Sequence, residues 1–475
     1  MSLEDPQVTD HRFDLVVLGG GSGGYAAALR AAELGRTVAI VERAQLGGTC
    51  LHRGCVPTKA LLHTAEVADA LRHAGAVGVT ATLEGVDGSA ARAWRDDVVR
   101  GKHRGLTSLV AARGITVVEG EGRATRVGDD PAIEVAGDRY VGSDLVVATG
   151  AASRALPGVP FGGRVLDSEA ALALDEVPAR AVVVGGGVIG VEFASAWRSL
   201  GAEVTIVEPQ EHLIANEDPA ARAALEKAYR RRGIELRLGA SVTTIESGDD
   251  RVVVRFDGAD GSAEVEADYA LVAVGRAPVA SGLGLEELGV EFDRGFVRTD
   301  ASLRTAAPGV WAVGDIVAGP QLAHRGFRHG IVVAETIAGL APSPLDDTLF
   351  PRVTYSTPEV ASVGLTEPQA RERHGSDRVV TQEVSLAANA KSEIVSAGSP
   401  IRAGFVKVVA LEDGPVVGVT LVGDRVGELI TEGQLAVAWE ARADDIAPLV
   451  HAHPTQSEAL GEAFLALAGS PLHTL

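Results

Sequence analysis

The sequence has few cysteines, no long apolar run and no excess of positive charge, and each lack removes a class of function. Its 475 residues carry a net charge of −21, so a polyanionic nucleic acid would be repelled. Apolar stretches end before the roughly 18–20 residues that a membrane-spanning helix needs. Residues 1–10 carry acids and a proline where a signal peptide has basic residues and then an apolar run, which predicts a cytoplasmic protein. The length predicts two to four domains.

The only two cysteines are Cys50 and Cys55. Cysteines in a reducing compartment are usually buried and inert, but the close spacing of these two argues against that interpretation. A metal centre is disfavoured because two thiolates need further ligands at suitable spacing, and His52 and His63 complete no zinc pattern. We therefore expect no metal. Two thiols this close can bridge if the helix is distorted, and Gly54 eases that distortion.

Two segments repeat one design: an apolar strand, a G-x-G-x-x-G loop, a helix, and a second strand that ends in an acid. The first copy has Gly19, Gly21, Gly24 and Glu42, and the second has Gly185, Gly187, Gly190 and Glu208. In such units the glycines allow the tight turn, the approach of a pyrophosphate and the packing of helix on strand, and the helix N-terminus faces the phosphates. One loop alone is weak evidence, but two in this context predict two bound dinucleotides. Glu42 and Glu208 are placed to bond ribose hydroxyls.

The remaining pattern predicts an α/β protein in which the second unit is inserted into the first. Residues 144–150 and 270–278 are similar buried strands that run into glycine turns, and residues 309–315 form another strand ending in an acid. A helix is expected at 325–340. Beyond residue 349 we expect a separate α+β domain, with antiparallel strands within 350–364, 405–411 and 416–422 and helices at 427–440 and 455–468.

The segment after the first acid is Leu46-Gly-Gly-Thr-Cys50-Leu-His-Arg-Gly-Cys55-Val-Pro-Thr-Lys59. Pro57 suits the first turn of a helix that continues through Lys59 and Leu62. Cysteines at a helix N-terminus have lowered pKa values because the helix dipole favours the thiolate. The thiolate is the form that attacks disulfides and that can donate charge to a flavin.

This segment resembles the active-site signature G-G-T-C-x4-G-C-x-P-[ST]-K of the pyridine-nucleotide disulfide oxidoreductases, a family of flavoproteins. The glycine loops and residues 148–150, 274–278 and 313–315 fall where that family has its motifs, so the resemblance covers essentially the whole chain. It implies two doubly wound Rossmann-like dinucleotide-binding domains, one for tightly but non-covalently bound FAD and one for NAD, plus a C-terminal α+β dimerisation domain. The expected boundaries are FAD domain 1–157 and 279–349, inserted NAD domain 158–278, and dimerisation domain 350–475.

The C-terminal segment His451-Ala-His453-Pro-Thr-Gln-Ser-Glu458 resembles the acid/base segment of the dihydrolipoamide dehydrogenase branch of that family. In this branch the second histidine accepts the proton and the glutamate orients its ring, which implies these roles for His453 and Glu458. Thiol–disulfide exchange needs such a group, because a base must generate the attacking thiolate and an acid must protonate the leaving sulfur. The resemblance leaves His451 without an assigned role.

The same resemblance assigns roles to four residues near the flavin. Cys50 is implied to be the thiol that meets substrate and Cys55 the thiol against the flavin, the two forming a redox-active disulfide. Lys59 and Glu192 are implied to form an ion pair beside the flavin N5. On their own, both charges would more often be exposed on helix surfaces.

Cofactor contacts follow from the same match. The residues expected to bind FAD are Gly19, Gly21, Gly24, Glu42, Gly48, Thr49, Lys59, Gly122, Thr149, Gly150, Asp315, Gln321, Leu322, Ala323 and His324. Those expected to bind NAD are Gly185, Gly187, Val188, Ile189, Gly190, Glu192, Glu208, Gly275 and Arg276. Gly120 is an alternative register for Gly122. Glu208 favours NAD, because its carboxylate would bond the adenosine 2′-hydroxyl and repel a 2′-phosphate, and no arginine follows in residues 209–212.

The resemblance implies a homodimeric dihydrolipoyl dehydrogenase with its active site shared across the interface. It would oxidise dihydrolipoamide on the lipoyl domains of 2-oxoacid dehydrogenase or glycine cleavage complexes, with NAD as acceptor. Residues 469–475 lack the extra redox residues of relatives that reduce mercuric ion or thioredoxin. His52 and Arg53 replace the residues common in lipoamide enzymes, and residues 387–392 also depart from the sequence common in those enzymes. A mycothione or glutathione reductase, or an NADH:quinone reductase (diaphorase) with an idle disulfide, therefore stays open.

Overall fold

The structure is a computed structural model that describes residues 8–259, 261–397, 399 and 404–474. Residues 1–7, on which the signal-peptide argument partly rests, lie outside the described residues. The strands are β1 (Asp10–Leu18), β2 (Val38–Glu42), β3 (Thr116–Glu119), β4 (Arg123–Val127), β5 (Asp130–Val135), β6 (Asp138–Val147), β7 (Ala151–Ser153), β8 (Val165–Leu166), β9 (Arg180–Val184), β10 (Glu203–Glu208), β11 (Glu235–Leu238), β12 (Ser241–Ser247), β13 (Val252–Gly258), β14 (Gly261–Ala267), β15 (Tyr269–Val272), β16 (Arg276–Pro278), β17 (Phe292–Asp293), β18 (Phe296–Val297), β19 (Val310–Ala312), β20 (Arg352–Thr354), β21 (Glu359–Gly364), β22 (Val379–Ser385), β23 (Phe405–Leu411) and β24 (Val416–Gly423).

The α-helices are α1 (Ser22–Glu33), α2 (Gly48–His52), α3 (Cys55–His73), α4 (Gly88–Ala112), α5 (Ser168–Leu172), α6 (Val188–Leu200), α7 (Pro219–Arg231), α8 (Ala323–Ile337), α9 (Glu367–His374), α10 (Ala390–Val395), α11 (Ile430–Ala438), α12 (Ala443–Ile446) and α13 (Glu458–Leu467). In the described part of the chain, none of these helices combines the length and the apolar character that crossing a membrane requires.

The chain forms two compact units, each assembled from separate stretches. The first unit contains the chain up to Pro57, residues 95–153 and residues 276–347. The second contains residues 58–94, residues 154–275 and the chain from Thr348 onward. The second unit therefore includes both the second glycine loop and the C-terminal residues.

The main sheet of the first unit has the order β3-β2-β1-β6, with parallel pairing throughout this set, which is the order of a doubly wound nucleotide-binding half. Leu15, Val16 and Val17 are fully buried in β1, because helices cover both faces of a parallel sheet. The long strand β6 pairs with different strands along its length. Its first half pairs with antiparallel β5, and its last residues pair with parallel β19. Helix α8 packs closely on α1, since a Cβ on Gly330 would lie 2.3 Å from the Gly23 carbonyl oxygen.

The second unit contains a second doubly wound sheet with the order β11-β10-β9-β15-β8, again parallel throughout. A three-stranded antiparallel meander, β12-β13-β14, packs its apolar residues against this sheet. At the start of α7, the buried Asp218 pairs with Lys407 of β23 at 3.0 Å. A buried charge is costly unless it is paired, so this ion pair fixes the beginning of β23 relative to α7.

The C-terminal residues of the second unit form a five-stranded sheet with the order β20-β21-β24-β23-β22. Every adjacent pair in it is antiparallel. Helices α11 and α13 cover this sheet, and Leu460 and Phe464 of α13 are fully buried in the shared core. This arrangement is an α+β layer, because the sheet is antiparallel and the helices that cover it, α11 and α13, follow its last strand.

The predicted fold class, with two doubly wound units and a C-terminal α+β part, is confirmed by these sheets, whereas the domain boundaries stay predictions. Some elements differ from expectation. The predicted strand region 350–364 is split into β20 and β21, because residues 355–358 form a turn. The last helix begins at Glu458 rather than 455, because the Glu458 carboxylate accepts the Thr455 N–H and closes the preceding turn. Helix α4 was not predicted, since it is largely polar and exposed.

Candidate active site

The two glycine loops have nearly the same geometry. Gly19 and Gly185 have φ values of 102° and 111°, a conformation that glycine adopts without strain. A Cβ on Gly24 would lie 1.8 Å from the Gly19 carbonyl oxygen, and one on Gly190 would lie 2.0 Å from that of Gly185. A Cβ on Gly187, by contrast, would meet no described atom within 4 Å. Each loop thus packs its helix tightly at the third glycine, and the second loop leaves open the side where a pyrophosphate approaches.

The acid that ends the second strand binds its own loop in both copies. One carboxylate oxygen of Glu42 accepts the Gly20 N–H at 2.7 Å. The other accepts, at 2.8 Å, the backbone N–H of the residue two positions after Glu42. Glu208 repeats this arrangement with the Gly186 N–H and, at 2.8 Å, with the N–H two positions beyond itself. An ionised carboxylate has about four acceptor positions, so both acids keep capacity for ribose hydroxyls.

The first unit has a buried polar atom that fits a bound ligand. The side-chain nitrogen Nε2 of Gln321 is buried and has no hydrogen-bond partner among the described residues. Buried polar atoms are nearly always bonded, so this orphan amide fits contact with FAD. Asp315 lies just after β19; burial raises the pKa of its carboxyl, and Arg276 and Arg325 act in the opposite direction.

Other residues expected to bind FAD lie at strand ends of the first unit. Thr149 Oγ1 donates to the Val279 carbonyl at 2.6 Å, and the Gly150 carbonyl accepts the Val279 N–H at 2.9 Å. This double contact holds the turn after β6. Leu322 is the N-cap residue of α8, and 323–324 form its first residues, so their backbone lies at a helix N-terminus of the kind that favours anionic ligands.

The two candidate adenine positions lie beside the ends of β1 and β2. A Cβ on Gly122 would lie 2.8 Å from side-chain atoms of both Leu18 and Val41, the residues at or next to the ends of those strands. The Gly120 N–H donates to the Glu42 carbonyl at 3.0 Å. Both glycines therefore lie on the side of the sheet where the first glycine loop begins, and the choice of register stays a prediction.

The redox segment packs directly on the first glycine loop. The Gly47 N–H donates to the Gly20 carbonyl at 2.8 Å. A Cβ on Gly48 would lie only 2.7 Å from the Gly21 Cα, so a side chain at this position would push the two loops apart. Gly48 and Thr49, both expected to contact FAD, are consequently held against the loop that is expected to hold the pyrophosphate.

The two cysteines lie on two consecutive helices. Cys50 is half-buried on α2, and Cys55 is exposed at the first residue of α3. Burial, reinforced by the charge of Cys50, raises the pKa of Tyr25 to about 12. Tyr25 therefore stays neutral. It is a neighbour of Cys50 that the sequence pattern did not indicate.

In the second unit, Lys59 and Glu192 form the predicted ion pair. The Lys59 ammonium lies 2.7 and 2.9 Å from the two Glu192 carboxylate oxygens, and Glu192 is almost fully buried. Tyr355 contacts both partners: its N–H donates to Glu192 at 2.9 Å, and its ring centroid lies 4.6 Å from the Lys59 nitrogen. Sequence reasoning missed Tyr355, although it begins a polar turn inside a region predicted to be strand.

A buried arginine connects the helix that carries Glu192 to the turn that carries Tyr355. Arg232 donates to the side chains of Ser195 and Ser199 on α6, at 2.8 and 2.6 Å, and to the Thr357 carbonyl at 3.1 Å. Ser195 also accepts the Thr357 N–H at 3.0 Å. The turn that carries Tyr355 is thus fixed to the helix that carries Glu192.

The C-terminal dyad is assembled in the second unit. His453 Nδ1 lies 2.8 Å from Glu458 Oε1, and the Thr455 N–H donates to the other carboxylate oxygen at 2.8 Å. The Thr455 N–H first, and then His453, hold the pKa of Glu458 below its usual range. Because an ionised carboxylate only accepts hydrogen bonds, His453 carries its proton on Nδ1 and presents Nε2 as the basic atom. The His453 side chain is 75% exposed.

His451, which the sequence left without a role, anchors the same loop. Its Nε2 lies 2.7 Å from Glu432 of α11, and its ring lies so close to α13 that a Cβ on Gly461 would be 2.5 Å from Nδ1. The Asn389 side chain donates to the Thr455 carbonyl at 2.9 Å. Asn389 and Glu432 could not be found from sequence, since both lie far from His453 along the chain.

The predicted cofactor residues separate almost completely between the two units. Those expected to bind FAD lie in the first unit except Lys59, and those expected to bind NAD lie in the second except Arg276. Val188, at the start of α6, is exposed although apolar, and the Gly275 carbonyl accepts the Arg154 N–H at 3.0 Å. Arg276 donates to the Ala151 carbonyl and acts on the Asp315 carboxyl, so the structure groups it with residues expected to bind FAD.

The chain is similar in sequence and structure to proteins of known name. The pyridine nucleotide-disulphide oxidoreductase family profile matches residues 13–330, and the profile of that family's dimerisation domain matches 350–464. The dihydrolipoyl dehydrogenase of Bacillus subtilis is 37% identical over 468 residues, covering 97% of each chain. That of Pseudomonas aeruginosa is 40% identical, covering 97% of this chain and 98% of the relative. The crystal structure of LpdA from Mycobacterium tuberculosis superposes with a TM-score of 0.88 at 29% identity, covering 97% of this chain and 100% of LpdA.

Proposed function

The chain belongs to the pyridine nucleotide-disulphide oxidoreductase family, and we propose that it is a dihydrolipoyl dehydrogenase that oxidises protein-bound dihydrolipoamide to lipoamide with NAD as acceptor. The observation that carries the proposal is the His453–Glu458 pair, because exchange with a dithiol needs an acid/base group of this kind. Relatives named dihydrolipoyl dehydrogenase match over essentially the whole chain, which supports the same substrate class.

FAD and NAD are the cofactors of this reaction. The first glycine loop, Glu42, Asp315 and Gln321 hold FAD, and the second loop with Glu208 holds NAD. Bound FAD supplies a two-electron relay between the protein thiols and the nicotinamide. Glu208 selects NAD over NADP because its buried carboxylate leaves no counter-charge for a 2′-phosphate. Lys59 and Glu192 hold each other's charges in place as an ion pair between their two helices.

His453 begins the exchange at the substrate dithiol. Glu458 accepts a hydrogen bond from the Nδ1–H of His453 and fixes the ring, and Nε2 takes a proton from one substrate thiol. The resulting thiolate attacks the Cys50 sulfur, the Cys50–Cys55 bond breaks, and Cys55 leaves as a thiolate. The product of this step is a mixed disulfide between Cys50 and the substrate, with a protonated His453.

The second substrate thiol completes the exchange. It attacks the substrate sulfur of the mixed disulfide, which closes the lipoamide ring, and its proton passes to Cys50 as that sulfur leaves. The two electrons of the substrate dithiol are then on the protein, which holds a Cys50 thiol, a Cys55 thiolate and a protonated His453. Atoms and charges balance, since lipoamide is released with both thiol protons left behind.

A second subunit completes the enzyme. The dimerisation-domain match supports a homodimer, and we infer that His453 serves the disulfide of the partner, which agrees with its exposed ring. An isolated monomer is then expected to be inactive. Lipoyl domains of 2-oxoacid dehydrogenase or glycine cleavage complexes are the proposed protein substrates. A cytoplasmic location belongs to the same proposal, because the reaction needs NAD.

The test is a substrate panel of dihydrolipoamide, glutathione disulfide and mycothione, each with NAD(H) and NADP(H). We expect turnover with dihydrolipoamide and NAD, and a disulfide reductase that prefers NADPH would contradict the proposal. Cys50→Ser should abolish dihydrolipoamide turnover while quinone reduction by NADH persists. Dihydrolipoamide turnover that survives this change would instead support a diaphorase with an idle disulfide.

The dyad is tested separately. His453→Gln should lower kcat for dihydrolipoamide by about 10²–10⁴-fold, the usual contribution of a positioned acid/base group. His11→Gln provides a matched control, because His11 is an exposed histidine on β1 of the first unit. Equal activity of the two variants would remove His453 from the reaction.

A further inference from the structure

Two histidines of the first unit share one backbone acceptor. His52, the last residue of α2, places Nε2 2.8 Å from the Leu46 carbonyl oxygen, and His103 of α4 places Nδ1 3.2 Å from the same atom. Their ring centroids are 5.0 Å apart with the planes at 67°. A carbonyl oxygen only accepts, so both bonding nitrogens carry a hydrogen. His52 Nδ1 is consequently the atom at which the His52 ring gains or loses a proton.

The shared carbonyl belongs to the residue that leads into the redox segment. Leu46 is buried, and the next N–H, that of Gly47, bonds the first glycine loop. His52 therefore closes α2, which carries Cys50, back onto its own start, and His103 ties this closed turn to α4. Because His52 Nε2 keeps its hydrogen in either charge state of the ring, the anchor persists when His52 becomes protonated.

The charge on His52 depends on the groups that face it. Burial lowers the pKa of His52, and His103 and Arg53 act in the same direction. The Leu46 carbonyl and Glu42 oppose them, but the pKa stays below its ordinary value. His52 is thus neutral at pH 7 and above, and acidification places a positive charge on the helix that carries Cys50. Cys50 lies two residues before His52 on this five-residue helix, and a cation near a thiol favours its thiolate.

We propose that His52, held in place by His103, is a positioning residue for Cys50 that sustains the thiolate of Cys50 as the pH falls. The inference rests on the proposed function in one respect, because it takes Cys50 as the thiol that reacts with substrate. The histidines touch neither substrate nor cofactor in this account. They act on Cys50 through the fixed geometry of α2 and through the charge that His52 gains in acid.

The test measures alkylation of Cys50 in the full-length, FAD-loaded protein after anaerobic reduction. Iodoacetamide modifies the thiolate, and peptide mass spectrometry separates Cys50 from Cys55. For a thiol without a titrating neighbour, the rate falls about tenfold per pH unit below its pKa. The wild type should fall less steeply once the pH drops below the pKa of His52, which burial holds under its ordinary value of 6.5. In His52→Gln, whose amide nitrogen replaces Nε2 as a neutral donor, the full tenfold slope should return.

A second pair of variants tests the anchor. His103→Asn keeps a donor at the position of Nδ1, and His103→Leu removes it. We expect His103→Asn to alkylate at the wild-type rate at pH 8, and His103→Leu to alkylate several-fold faster, because an unanchored α2 exposes Cys50. FAD content and thermal midpoint report whether each variant is folded.

Superimposable pH profiles for wild type and His52→Gln would overturn the electrostatic role, and equal rates for the two His103 variants would overturn the anchor. These results are independent of the substrate panel, since alkylation needs neither NAD nor dihydrolipoamide. A failed panel with distinct alkylation profiles would reject the substrate assignment while leaving the histidine pair in place.

Discussion

The two glycine loops are built alike and differ in the segment that returns over them. In the first loop the Gly20 carbonyl accepts the N–H of Gly47, and in the second the Gly186 carbonyl accepts the N–H of Ile214, both at 2.8 Å. The returning segment of the first loop continues into α2 and the cysteines. That of the second places the fully buried Leu213 against the loop. A shared scaffold thus gains redox chemistry only where its connection supplies it.

The helices that follow the loops also differ. Two residues beyond the third glycine, α1 has Ala26 and α6 has Glu192. Helix α1 packs on α8 through backbone contact at Gly330, whereas α6 receives a hydrogen bond from the buried Tyr229 hydroxyl to the Val191 carbonyl at 2.7 Å. At this position α1 has an uncharged side chain that can only pack against its neighbours, whereas α6 has a charged side chain that pairs with Lys59.

The largest expected effect comes from the third glycine of each loop. Gly24→Ala and Gly190→Ala introduce a methyl group within 1.8 and 2.0 Å of a carbonyl oxygen, so both loops must open. We expect Gly24→Ala to be purified without flavin. Gly190→Ala should keep its flavin and lose saturable NAD binding. Flavin absorbance and NAD titration measure the two outcomes, and flavin loss in both variants would show that the loops are not independent.

Acid should affect the first unit through a buried histidine of α8. His329 is buried on α8 with Nδ1 3.3 Å from the Gly314 N–H, and burial, then Arg325, lowers its pKa from 6.5 to about 4. The unfolded chain therefore takes up a proton that the folded unit does not, and stability is lost as the pH falls from 6.5 to about 4. The loss is at most about 3 kcal/mol.

Urea titrations followed by flavin fluorescence at several pH values measure this loss. His329→Asn keeps an acceptor near the position of Nδ1 but cannot be protonated, so its denaturation midpoint should vary less between pH 7 and 4. A variant with the same acid dependence as the wild type would show that other groups cause it.

Glu208→Ala tests the selectivity of the second loop. Loss of charge-assisted hydrogen bonds, about 1.5–3 kcal/mol, should raise KM for NAD about 10- to 100-fold with a smaller change in kcat, and NADP should become a comparable substrate. Glu203→Ala is the matched control, because Glu203 is exposed at the other end of β10. An unchanged NAD/NADP ratio in Glu208→Ala would contradict the predicted ribose contact.

The smallest effect is expected at Tyr355, the residue that contacts both Lys59 and Glu192. Tyr355→Leu removes the ring beneath Lys59, an interaction of about 0.5–1 kcal/mol at a partly exposed site, and keeps the N–H that bonds Glu192. Turnover should fall a few-fold, and Tyr355→Phe should restore it. If the leucine and phenylalanine variants behave alike, the ring has no part in fixing Lys59.

Much of the fold could be predicted because its signals are local. A glycine loop, the strand before it and the acid after it are contiguous, so the order of residues specifies the unit. Helix α4 was not predicted because it is polar on average, and among its residues, all of them described, Val110 alone is buried. The turn at 355–358 escaped it because its order comes from Ser195 and Arg232, which are distant along the chain.

The candidate site divides in the same way. Cys50, Cys55, His453 and Glu458 could be named from short motifs, and the structure adds what orients the dyad: Asn389 and Glu432 hold its loop. In the sequence, His52 completed no zinc pattern and stood out as a departure from the family. The contact with His103 gave it a role, because two rings can meet on one carbonyl only after α2 and α4 have packed together.

The sequence by itself determined the chemistry of this protein: two dinucleotide loops, a pair of cysteines and a histidine–glutamate segment, each encoded within a few consecutive residues. The tertiary structure alone decided which neighbours tune those groups. Tyr355 contacts Lys59, His451 bonds Glu432, and His103 meets His52 through contacts between elements far apart in the chain. Local spacing encodes a motif, whereas hydrogen bonds, burial and charge proximity between distant residues exist only once the sheets and helices have come together.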